Sequence, residues 1–131
     1  MMNTNNIEIV AALYDAFAHR DWVVILQFTH PQIRISQTAQ LPWGGQYEGA
    51  GGLQLFYSKL LSHVDSRVDV EEYIEAGDRV VAIGRTRGRV NVNGADFDIR
   101  AVHVWTLQDS LAIGFESYID SPKMLQALQG G

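Results

Sequence analysis

The 131-residue chain contains no cysteine, which removes disulfides, thiolate nucleophiles and every cysteine-containing metal site and fits a reducing compartment. It is also short of positive charge: ten Lys and Arg stand against fifteen Asp and Glu, a net charge of -5. Phosphate binding draws its affinity from clustered Lys and Arg, so no nucleic-acid partner is expected. Long apolar runs are missing, and the polar start MMNTNN has no apolar signal-peptide core, so the expectation is a cytoplasmic protein with no membrane contact. No H-x-H or H-E-x-x-H spacing occurs, and neither a metal nor a cofactor is expected. What is present is an ordinary globular composition, 47% hydrophobic and 19% charged, at a length that suits one domain over residues 1–131.

Periodicity places helices first and sheet afterwards. Ile7, Val10, Ala11, Tyr14, Phe17 and Ala18 recur at helical spacing, with Asn5 and Glu8 arranged like a capping box, which predicts a helix over 6–19. Asp21 caps a shorter one over 22–28, stopped by His30-Pro31 because the residue before proline leaves the helical region. A third follows the Gly49–Gly52 cluster, with Leu53, Phe56, Tyr57, Leu60 and Leu61 on one face, and ends near His63. From Val68 the period moves toward 2, with turn signals at Ala76-Gly77-Asp78, Asn93-Gly94 and Asp109-Ser110, which predicts antiparallel strands. Pro122 fits the first turn of a last helix over 122–129, with Ser121 as its N-cap.

The turns imply registers, and a register decides which side chains share a face. A two-residue turn at Asp109-Ser110 sets His103 opposite Glu116, Ala101 opposite Tyr118 and Ile99 opposite Asp120. A turn centred on Asn93-Gly94 adds Gly84 opposite His103, Thr86 opposite Ala101 and Ala82 opposite Trp105. One face thus collects His103, Trp105, Glu116, Tyr118 and Asp120 beside small residues that leave a hollow. The other face carries Val81, Ile83, Val102, Val104, Ile113, Phe115 and Ile119, interrupted by Arg85, Arg87 and Arg100, and suits a dimer surface. The arginines of GRTRGR alternate along one strand face, where they pair with Asp and Glu across strands or at an interface.

The stretches PWGGQYEGAGGLQLFYSKL, EAGDRVVAIGRTRGRV and AVHVWTLQDSLAIGFESYIDSPKMLQAL resemble the SnoaL-like branch of the NTF2-like superfamily, with its polyketide cyclases and ketosteroid-isomerase-like proteins. The resemblance implies an α+β cone: N-terminal helices packed on a strongly bent antiparallel β-sheet, with a short C-terminal helix. An acid/base Asp near the end of the last strand, as in SnoaL-type cyclases, matches Asp120 in YIDS. The ketosteroid-isomerase pattern carries over poorly. Its base falls at about Ser36 or Gln37, neither a carboxylate, its helical Tyr near Leu13 and Tyr14, and its protonated Asp near His103.

The candidate catalytic residues are therefore Asp120, as general acid/base on a small, largely apolar carbonyl compound, and His103, polarising the adjacent carbonyl. The bland alternative makes Asp120 a helix cap and His103 a satisfied interior histidine. Tyr14, Phe17, Trp43, Tyr47, Phe56, Gly84, Trp105, Glu116 and Tyr118 are the candidate ligand-binding residues, around a pocket of roughly a few hundred Å³. Trp43, Tyr47 and Phe56 either rim it, on a Trp-Gly-Gly loop able to close over a ligand, or are core aromatics. His19, His30 and His63 sit at helix ends and read as surface residues. The function expected is a cofactor-free cyclase or isomerase acting on a small apolar or polycyclic ligand, in a homodimer. The alternative is a non-catalytic ligand-binding or dimerisation module of the same fold.

Overall fold

The computed structural model describes residues 5–130; of the polar start, only Asn5 and Asn6 are among them. Helix α1 spans Asn6–Ala18. Its N-cap Asn5 accepts a hydrogen bond from Ile7 N at 2.7 Å, and its inner face buries Ile9, Val10, Leu13, Ala16 and Phe17. Arg20, in the left-handed region at φ 54°, ends this segment. Its guanidinium lies over the Phe17 ring and donates to Asp65 Oδ1 and Ser66 O, so the helix end is pinned to the sheet. Helix α2 (Trp22–Gln27) is capped by Asp21, which accepts from Val24 N. Helix α3 spans Gly49–His63, so the glycines lie inside it rather than before it. The short α4 spans Ser121–Leu128.

Six strands form one sheet: β1 (Thr29–Gln37), β2 (Gly45–Glu48), β3 (Val64–Ala76), β4 (Arg79–Val90), β5 (Asp96–Gln108) and β6 (Leu111–Ile119). Their order is β2-β1-β6-β5-β4-β3. The sheet is mixed and not wholly antiparallel, because β1 runs parallel to β6. Neither β1 nor β2 stands out in the sequence, since β1 carries His30-Pro31 and an irregular start that hides its alternation. Strand β3 also begins at Val64, four residues before the change of period at Val68.

Two glycines permit the bend of the sheet. A Cβ at Gly84 would sit 2.1 Å from Asp69 O, and one at Gly88 2.0 Å from Asp65 O. The β3 backbone therefore folds over β4 where side chains are missing. A bulge in β3 between Val70 and Glu72 adds local twist at the same place. The helices close over the concave side, where Ile9, Val10, Ile33, Ile35, Val80, Val90 and Met124 are almost wholly excluded from solvent.

On the convex side the arginines form ion pairs across strands. Arg85 pairs with Asp98, Arg87 with both Asp69 and Asp98, Arg89 with Asp96 and Arg100 with Glu71. Arg85 and Arg87 together hold the Asp98 carboxyl below its ordinary range.

Candidate functional site

Register decides what faces the cone, and here the structure departs from the expectation in two ways. The β4–β5 connection is longer than a two-residue turn, closed by Val90 N donating to Ala95 O, and sets Ala82 opposite His103 and Gly84 opposite Ala101. That is an even displacement from the expected pairing, so every side chain keeps its face. The β5–β6 hairpin does begin with Asp109 and Ser110 at φ 52° and 63°, the two positive values a tight I′ turn needs. Ile113 then forms a bulge, because Leu107 pairs with Ala112 while Thr106 pairs with Gly114. One extra residue reverses the rest of β6. His103 stands opposite Ser117, and Trp105 opposite Phe115.

The consequences for the candidate residues are direct. Glu116 and Tyr118 turn away from the cone; Tyr118 is 56% exposed and its hydroxyl donates to Glu116 Oε1 at 2.6 Å. Phe115 and Ile119, expected on the outer face, point inward with Ser117. Asp120 is not on the cavity. It is the N-cap of α4 and accepts from Lys123 N at 3.3 Å, whereas Ser121, the expected cap, is the buried first residue of the helix. His103 and Asp120 are thus not brought together. Gly84 presses on the β3 backbone instead of bordering open space. Tyr47 lies in the core, its hydroxyl donating to the carbonyls of Trp43 and Gly44. Trp43 does face the cavity, but at 2% exposure it is a wall and not a lid. Its loop is packed so tightly that a Cβ on Gly44 would lie 1.9 Å from Thr38 O.

The cavity itself lies between α1, α3 and the concave sheet face, with a volume of about 70 Å³. It is smaller than the expected few hundred, with Phe115 and Ile119 among the side chains that fill the cone. Of the expected residues it gathers Tyr14, Phe17, Trp43, Phe56, His103 and Trp105. Ser66 and Ser117 are not expected in the site from the sequence, and Gln37 is marked there only as a non-carboxylate at about the position of the ketosteroid-isomerase base. Six polar side chains are buried among the described residues, Gln37, Ser66, Thr86, His103, Ser117 and Ser121, and all but Ser121 line this one cavity. No Asp, Glu, Lys or Arg does so among the described residues. No group of three potential metal ligands is found among them either.

At its centre is a relay of three aromatic side chains. Trp105 Nε1–H, which can only donate, gives its hydrogen bond to Tyr14 Oη at 2.9 Å. Tyr14 Oη lies 2.6 Å from His103 Nδ1. Burial pushes the Tyr14 pKa upward and the His103 pKa down to about 4, so near neutral pH the phenol keeps its proton and the imidazole is uncharged. With its oxygen already accepting from Trp105, the Tyr14 hydroxyl best satisfies the group by donating to the Nδ1 lone pair. The imidazole proton then resides on Nε2, the remaining polar atom of a side chain that lines the cavity. Phe115 packs edge-on against the imidazole, ring centroids 4.9 Å apart.

A family model for the SnoaL-like domain matches residues 10–113. The chain belongs to the SnoaL-like domain family. Among solved structures, this SnoaL-like protein is similar to an NTF2-like protein of unknown function from Burkholderia pseudomallei K96243. The two are 29% identical over 98% of this chain and 100% of that one, with a TM-score of 0.90. It is similar also to TerC, co-crystallised with polyporic acid, at 28% identity over 95% and 98% of the two chains and a TM-score of 0.88. IdmH from Streptomyces antibioticus, a proposed polyketide cyclase, shares the fold at 20% identity, 96% and 99% coverage and a TM-score of 0.78. No curated protein matches the chain. No helix among the described residues of the SnoaL-like protein is long and apolar enough to cross a membrane.

Proposed function

We propose that this SnoaL-like protein, acting as one domain across the chain, binds a small, uncharged, largely apolar carbonyl compound in its cone and polarises the carbonyl through His103. The observation that carries this reading is the relay from Trp105 through Tyr14 to His103, a residue that lines the cavity; with Nδ1 accepting from Tyr14, the imidazole keeps a neutral Nε2–H as the donor for a ligand oxygen. A neutral imidazole can stabilise charge developing on a carbonyl oxygen, as in enol formation or intramolecular addition, and in a dry site such a bond is worth more than in water. A small-molecule site in the cone agrees with the likeness to a protein that was co-crystallised with polyporic acid, and the chemistry such a site would support is of the cofactor-free isomerase or cyclase kind. His103 takes the electrophilic role here, and Asp120 serves as the cap of α4.

The test uses cyclohexanone labelled with ¹³C at its carbonyl. Bound to the wild-type protein, the carbonyl carbon should move downfield, the mark of a polarised C=O, and His103→Leu should abolish that shift. An equal shift in the variant would overturn the reading.

A second reading, a ligand-binding module without turnover, is favoured by one observation: no carboxylate borders the cavity among the described residues, so no obvious base awaits a carbon-bound proton. We propose as well that a second copy of the chain covers the outer sheet face, where Val81, Ile83, Val102 and Val104 remain only half-buried beside the ladder of ion pairs.

A further inference from the structure

The strand pairings align three of the cavity's polar residues in a single row. Gln37 on β1 pairs with Ser117 on β6, and Ser117 pairs with His103 on β5. All three are buried, at 4%, 7% and 6% exposure, so all point to the concave side. With strands about 4.8 Å apart, the backbones of Gln37 and His103 lie about 10 Å from one another, with the small Ser117 between them and room for a ligand above it.

Gln37 is the unusual member of the row. Its Nε2 is fully buried and has no hydrogen-bond partner, a condition that buried amides rarely tolerate without a reason. Gln37 and Ser117 also border a second cavity of about 420 Å³ toward Tyr118 and Ser121, so they stand between the inner slot and a larger cleft.

We propose that Gln37, with Ser117 beside it, is a second oxygen-binding point of the site. The ligand then belongs to the class of uncharged dicarbonyl compounds, one oxygen on His103 and the other on Gln37, with any bulk beyond the second oxygen extending into the outer cleft. This inference rests on the carbonyl-binding reading above. The preference for uncharged compounds follows because an anion would give up its hydration with no cation lining the cavity to compensate. Gln37 acts as a binding and orienting residue, and the two-point contact fixes which carbonyl meets His103.

The experiment compares 1,4-cyclohexanedione with cyclohexanone by titration calorimetry on the wild-type protein, Gln37→Leu and Ser117→Ala, with melting temperatures recorded for each. The wild type should bind the dione about tenfold more tightly than the monoketone, the effect of one added buried hydrogen bond. Gln37→Leu should bring the two affinities together by weakening the dione alone. It should also melt no lower than wild type, because it removes a donor that has no partner. Ser117→Ala should reduce the ratio by less. Equal binding of the two ketones by wild type would overturn the inference and leave the carbonyl-binding reading intact. So would a tenfold preference that survives in Gln37→Leu, or a clear fall in that variant's melting temperature. If neither ketone binds the wild type, both the inference and the carbonyl-binding reading are overturned.

Discussion

Acid should destabilise this protein through His103 in a defined pH window. An unfolded imidazole titrates near 6.5, whereas burial lowers the folded value to about 4. Above pH 6.5 both states are neutral at this position and His103 makes no pH-dependent contribution. Between 6.5 and 4 the unfolded chain takes up a proton that the folded one refuses, so stability falls as pH falls; below 4 both states are protonated and the loss is complete. Each pH unit of that window is about 1.4 kcal/mol, which gives about 3 kcal/mol in all. At this chain length that corresponds to a decrease of about 10 °C in melting temperature. Carboxylates titrate in the same range, so the informative quantity is the difference between wild type and His103→Gln, whose side chain has no proton to gain. Urea unfolding of both proteins from pH 7.5 to 4 should show the wild type losing about 3 kcal/mol more than the variant. Imidazole NMR should find His103 neutral at pH 5.5, with its proton on Nε2. Parallel pH profiles, or an imidazole titrating near 6.5, would refute the claim that the relay holds a buried neutral histidine.

Tyr14→Phe should cost about 1–3 kcal/mol in urea unfolding, since it leaves both Trp105 Nε1–H and His103 Nδ1 without their partner. Asp120→Asn should be nearly neutral in stability and Asp120→Ala should cost about 1 kcal/mol, as for other N-caps. Neither should alter cyclohexanone binding, and a loss of binding in the Asn variant would return Asp120 to the site. Gly84→Ala should destabilise by about 3 kcal/mol or more, because its Cβ meets the backbone of Asp69, which cannot move aside as a side chain could. Gly51→Ala, in α3 with nothing within 4 Å of the new Cβ, should instead stabilise by about 0.5–1 kcal/mol, and thermal melts of the pair check both signs. Sedimentation should show a dimer for the wild type and a monomer for Val104→Glu, with cyclohexanone binding unchanged; a wild-type monomer would exclude the outer-face interface.

Local chemistry in the sequence determined a good deal. Asn5 and Asp21 cap the helices expected of them, and the apolar spacing of Ile9, Val10, Leu13 and Phe17 turns α1 toward the core. The Asp109-Ser110 turn adopts the two positive φ values that a tight hairpin requires. These features depend on residues within a few positions of each other, and so does the inward alternation of β5 that places His103 and Trp105 in the cone. The tertiary structure alone decided the rest. A bulge at Ile113 answers to the packing of β6 between β1 and β5, which no local pattern announces, and its single extra residue exchanged Glu116 and Tyr118 for Phe115 and Ser117. The neighbouring β4–β5 register was displaced by an even number of residues and left its inner face intact. Gln37 joined the site only because β1 returns to lie parallel to β6, a pairing between residues about eighty positions apart in the chain. A strand's side chains alternate with period two, so a displacement of one residue reverses every assignment on it, and whether that displacement is odd or even is settled by long-range contact.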